Sequence, residues 1–195
     1  PFLEKIKSQN IEVKNVVADA GYESLSNYEY LKINNYVSYI KPIYYEKSKT
    51  RKYKKDLNRV ENLEYNEKEN RLFRKDGLEL EFQYYGKDRK TIYFKNPETE
   101  KIIKYNNEFR RLSKKSKDNI ESELGKQLRM NRSIQVEGAF AVLKEDMKLR
   151  KLKVRGKNST KREIGLFCIA YNFNKYLAKL SRKNQGVVLH PLKTA

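Results

Sequence analysis

The chain has 195 residues, with 44 Lys and Arg against 25 Asp and Glu, a formal charge of +19. An apolar fraction of 38% is enough for a core, which argues against wholesale disorder, and the length fits one domain or one domain carrying an insertion. So large a positive excess selects a polyanionic partner, of which nucleic acid is the commonest, while the lack of any apolar run near ~18 residues weighs against a membrane.

Phe2, Leu3 and Ile6 share one helical face, so residues 1–9 read as the end of a helix. From Ile11 to Ala18 the chain alternates and then becomes continuously apolar, the pattern of a strand buried on both faces. Asp19 stands at the tip of that run and is followed by Ala20, Gly21 and Tyr22. The run Ser26-Asn27-Tyr28-Glu29 has capping-box spacing and predicts a short helix to about Asn34. Tyr36 to Ile40 reads as a second strand stopped by Pro42, so residues 11–41 form a β-α-β unit with parallel strands.

Residues 45–55 are strongly basic and poor in aliphatics, which predicts an exposed connector. Alternating stretches at 60–65, 71–74, 78–85, 90–95 and 101–105, with turns at Asp76-Gly77 and Asn96-Pro97, predict a small antiparallel module. Helices are expected over 107–125 and 127–150, broken at Gly125, and over roughly 160–181, before a polar tail at 183–195. The single Cys168, within an apolar helical segment, reads as a small buried hydrophobe. With no signal peptide at the start, a reducing cytosol is the expectation. The resulting organisation is residues 1–44 as a β-α-β part of a core, 45–106 as a β-rich insertion, 107–182 as the helical part of the core, and the tail.

Two acidic residues far apart in the sequence stand out. Asp19 ends a strand, where sheets open and ligands collect, and Glu137 lies in the helical stretch 132–144. Phosphodiester chemistry activates one oxygen and stabilises another, and two Mg²⁺ or Mn²⁺ ions roughly 3.5–4 Å apart do both. Such hard cations take carboxylate oxygens. Lys144, seven positions after Glu137, falls on the same face of a straight helix, with Phe140, Leu143 and Met147 forming a neighbouring stripe to seat it on a sheet.

Asp19-Ala20-Gly21-Tyr22 resembles the second-aspartate motif of bacterial insertion-sequence transposases of the DDE type. Residues 132–144 resemble their glutamate motif, including the lysine seven positions on. The related arginine four positions before the glutamate is replaced by Ser133, with Arg132 one earlier. Leu152 to Gly156 and Ala170 to Lys175 resemble the family's C-terminal region. The resemblance implies an α/β, ribonuclease-H-like core with an antiparallel β-rich insertion, here incomplete at its N-terminus because the first catalytic aspartate and its strands have no counterpart. It implies Asp19 and Glu137 as catalytic metal ligands for Mg²⁺ or Mn²⁺, and Lys144 and Arg132 as phosphate contacts. It also implies DNA as partner, a possible homodimer on DNA, and a bacterial, nucleoid-associated setting. The expected function is metal-dependent strand cleavage and transfer in transposition. The alternatives are a catalytically inactive DNA-binding remnant and a nuclease using the same carboxylates.

Other residues carry less. Tyr22 caps the core or touches DNA, and Arg155-Gly156 is a basic turn or a phosphate clamp, with the turn favoured. The tyrosines interleaved with lysines, such as Tyr44-Tyr45 and Tyr84-Tyr85, pave strand faces or stack on unpaired bases. Asn172 reads as structural, and His190 in the tail is a poor catalytic candidate. No cysteine lies in 45–106, which excludes a cysteine-ligated zinc there.

Overall fold

The computed structural model describes residues 2–183; the tail beyond, with His190, lies outside the described residues. They divide into two compact units, one ending at Gly125 and one starting at Lys126. Together they make a mixed α/β protein with an antiparallel sheet.

The first unit opens with α1 (Phe2–Lys7) and β1 (Asn15–Ala18), which pairs in parallel with β2 (Val37–Ile40) from Asn15 opposite Val37 to Ala18 opposite Ile40. Between them α2 (Leu25–Ile33) makes the crossover. Its cap is Ser24, not the expected Ser26: Ser24 is extended, and its Oγ accepts the Asn27 N–H at 3.2 Å. β1 is shorter than predicted and only half-buried along its length, because its sheet has two strands among the described residues. Tyr28, Leu31 and Ile40 form the buried centre, with Phe109 and Leu112 packed on it.

Those last two residues belong to α4 (Asn107–Glu121), which closes the far edge of β2 with side chains. Ser116 Oγ accepts the Ile40 N–H at 2.8 Å and donates to the Ile40 carbonyl at 3.0 Å. Asn119 Nδ2 donates to the Ser38 carbonyl at 3.0 Å. Ser113 and Ser116 are fully buried, and their small size lets the helix approach the strand closely enough for those bonds.

The five remaining strands are β3 (Leu63–Asn66), β4 (Arg71–Arg74), β5 (Glu79–Tyr85), β6 (Ile92–Lys95) and β7 (Ile102–Tyr105). They form an antiparallel meander in sequence order, where alternation had placed them. One face buries Leu72, Leu80, Ile92, Phe94, Ile103 and Tyr105. Gly77, at φ 90°, makes the expected turn between β4 and β5, a conformation that favours glycine. The stretch 45–55 is more than a connector. Tyr45 is buried, and Thr50 caps the short helix α3 (Arg51–Lys55) through the Tyr53 N–H.

The break after α4 falls at Ser122 instead of Gly125. Ser122 is extended, and its Oγ accepts the Gly125 N–H at 3.0 Å, which starts α5 (Glu123–Ala141). Gly125 serves another purpose: a Cβ there would meet the Asn119 carbonyl oxygen at 2.0 Å. In the second unit α5 ends at Ala141 and passes into a π-helical turn at Val142–Asp146, short of the predicted 150. A segment with Lys148 and Gly156 at positive φ leads to α6 (Lys157–Ser181), and Glu163 on α6 accepts the N–H groups of Lys153 and Val154. Cys168 is exposed, contrary to the buried role expected, on a helix that also exposes Leu166, Ile169 and Phe173.

Ser116→Ala is expected to lower stability by about 1–3 kcal/mol, because it strands the buried Ile40 N–H, and a urea titration would show a lower midpoint at unchanged slope. Gly125→Ala should destabilise by more than a helical Gly→Ala exchange is usually worth, and with the opposite sign, since alanine is the better helix former. A raised melting temperature for Gly125→Ala would contradict the close approach.

Candidate catalytic carboxylates

Asp19 leaves β1 with an extended backbone, φ −75° and ψ 168°, just past the last ladder bond from Lys41 N–H to the Ala18 carbonyl at 3.1 Å. Its own carbonyl accepts the Tyr22 N–H at 3.0 Å, so Ala20–Tyr22 coils into a single 3₁₀ turn. Asp19 is exposed there.

What holds that turn is Glu23, a residue to which the sequence reading gave no role. One oxygen accepts the Ile43 N–H at 2.7 Å; the other accepts the Ser113 hydroxyl at 2.7 Å and the Tyr28 hydroxyl at 3.2 Å. A single carboxylate thus ties the exit of β1 to the chain after β2, to α2 and to α4. Burial first, and then the Glu23 charge, push the Tyr28 phenol well above its ordinary value, so it stays a donor. The signal was present in the sequence, since Glu23 directly follows the Asp19–Tyr22 motif. Tyr22, 62% exposed, contributes its carbonyl to Asn27 Nδ2 at 2.8 Å and leaves its ring outside the core.

The other candidates sit in the second unit. Glu137 is exposed on α5, and Arg132 is half-buried on the same helix. Lys144 lies on the π-helical turn, so a straight-helix relation to Glu137 does not hold. Its ammonium lies 5.9 Å from the centroid of the Phe140 ring. Phe140 is 55% exposed. Arg155 is exposed just before Gly156, which has a φ of 87°.

Carboxylates suit Mg²⁺ or Mn²⁺ in kind, but a two-metal site takes three or four of them. Among the described residues no three His, Cys, Asp or Glu side chains group closely enough to hold a metal ion. Asp19 belongs to the first unit and Glu137 to the second. No helix of the described residues is long and apolar enough to cross a membrane.

Glu23→Gln should loosen the Asp19 turn, because an amide offers one acceptor oxygen where the carboxylate uses two. The expected cost is about 1–3 kcal/mol, with faster hydrogen exchange at the Ile43 and Tyr22 amides. Unchanged exchange at both would show that Glu23 does not position the turn.

Residues 88–177 match the family model described as "Transposase DDE domain". That span contains Arg132, Glu137, Lys144 and Arg155, and it starts after Asp19 and Tyr22. No curated protein and no solved structure gave a match. Over residues 88–177, the stretch that carries Glu137 and Lys144, this chain is similar to the DDE-type transposases.

Proposed function

We propose that the chain is part of a DDE-type transposase acting on DNA, with a ribonuclease-H-like core to which the β-α-β unit and the later helices belong. The match across the Glu137 segment carries this reading, and Asp19 at the tip of a parallel strand supports it. In this reading Asp19 and Glu137 are two of the carboxylates that hold Mg²⁺ or Mn²⁺. The bound ions supply activation of the attacking oxygen and stabilisation of the leaving one. Lys144 and Arg132 hold terminal phosphates as charged donors, and Tyr22 and Arg155 contact DNA beside them. The reaction is hydrolysis at the element end followed by attack of the freed 3′-hydroxyl on target DNA, in a pair of subunits on DNA.

A DNA-binding remnant is the second reading. It is favoured by the net charge of +19, which supports DNA binding whether or not a metal site forms. Titration calorimetry with Mn²⁺, run beside a DNA-binding assay, separates the two. Asp19→Ala and Glu137→Ala should each weaken Mn²⁺ binding by about 10- to 100-fold, the scale on which even outer-shell partners matter, and leave DNA binding intact. Mn²⁺ binding that ignores both substitutions would leave the remnant reading standing.

A further inference from the structure

Within the first unit, apart from Asp19, a recess of about 390 Å³ opens beside α3 and α4, lined by Tyr44, Tyr53, Lys54, Arg110, Lys114 and Lys117. The Tyr44 and Tyr53 rings are stacked, 6.4 Å between centroids and 11° between planes. One carboxylate, Glu61, lines the recess, and both its oxygens are engaged: one accepts Arg110 Nη1 at 2.6 Å, the other the Tyr53 hydroxyl at 2.5 Å. Burial raises the Glu61 carboxyl, but the Tyr53 hydroxyl and Arg110 outweigh it and leave the group below its ordinary value, ionised at neutral pH. Glu61 and Arg110 therefore cancel. The three lysines do not, and none of them makes an ion pair with a carboxylate of the described residues. A second recess, lined by Tyr84, Tyr93, Lys87 and Lys104, has a weaker charge case, since Asp88 lies among those lysines.

Three uncompensated ammonium groups around an aromatic wall match one kind of ligand, an anionic group covalently joined to a flat ring. We propose that this recess binds a nucleotide of an unpaired DNA strand, with Lys54, Lys114 and Lys117 on its phosphates and its base against the Tyr44–Tyr53 pair. A paired base has both ring faces covered by its neighbours, so an aromatic wall selects an unstacked one. The inference rests on the reading of DNA as partner and is independent of Asp19 and Glu137.

The test is fluorescence anisotropy of the full chain with a labelled twelve-nucleotide oligo-dT strand and with a duplex of equal length, over a range of salt. Lys54→Gln/Lys114→Gln changes two exposed lysines on separate helices. It should weaken oligo-dT binding about tenfold and flatten the salt dependence by about 1.4 in slope, the share of two single-strand phosphate contacts. Tyr44→Leu should weaken oligo-dT binding by roughly 5- to 150-fold, the share of one base–aromatic stack, with little effect on the duplex. Lys5→Gln/Lys7→Gln, an equal charge change on α1, should leave both ligands unaffected. Equal losses from the two lysine pairs would reduce the effect to net charge and overturn the proposal, as would equal losses for duplex and single strand. Asp19→Ala and Glu137→Ala should leave oligo-dT binding intact, so failure of the metal reading and failure of this one are told apart.

Discussion

The first unit depends on how the outer edge of β2 is satisfied. A two-stranded parallel sheet leaves a row of backbone groups without a strand partner, and a buried N–H in that position costs about as much as a lost hydrogen bond. Here α4 supplies the partners from Ser116 and Asn119. The geometry demands small side chains at the contact, which is why Ser113 and Ser116 are fully buried serines. Ser113 then donates to Glu23, and Glu23 fixes the turn that presents Asp19. Strand edge, helix and candidate catalytic turn are one hydrogen-bonded system.

That same helix hands the chain on to Glu137. Ser122 ends α4 and starts α5, and Gly125 lets the first turn of α5 pass against the Asn119 and Ile120 backbone, where any Cβ would collide. α5 continues into the second unit and carries Arg132 and Glu137 before loosening into the π-helical turn that holds Lys144. α6 exposes apolar side chains, among them Leu166, Ile169 and Phe173.

The antiparallel strands were legible because period-two alternation and an Asp-Gly turn are local signals, and the parallel pair because a short β-α-β leaves few topologies. The misses share a different cause. Ser24 and Ser26 were both able to cap α2, and only the chain's approach decides between them. The helix break was placed at the glycine, but the serine hydroxyl makes it, while the glycine answers a tertiary clash invisible in the sequence. Cys168 was judged by its apolar neighbours, yet burial needs a covering element, which composition cannot supply. Asp19 and Glu137 stand out in the sequence by motif and local setting, whereas Glu23 has a motif beside it but partners, Ile43 and Ser113, that only the fold brings near.

The proposed function turns on Asp19 and Glu137 both holding a divalent metal ion. Paramagnetic broadening by substoichiometric Mn²⁺ in an amide NMR spectrum tests it most directly, because the effect falls steeply with distance from the ion. The account predicts that the Asp19–Tyr22 turn and the α5 turn around Glu137 broaden together and that Asp19→Ala abolishes both effects. Broadening confined to one of the two segments, or spread without preference over the surface carboxylates, would contradict it.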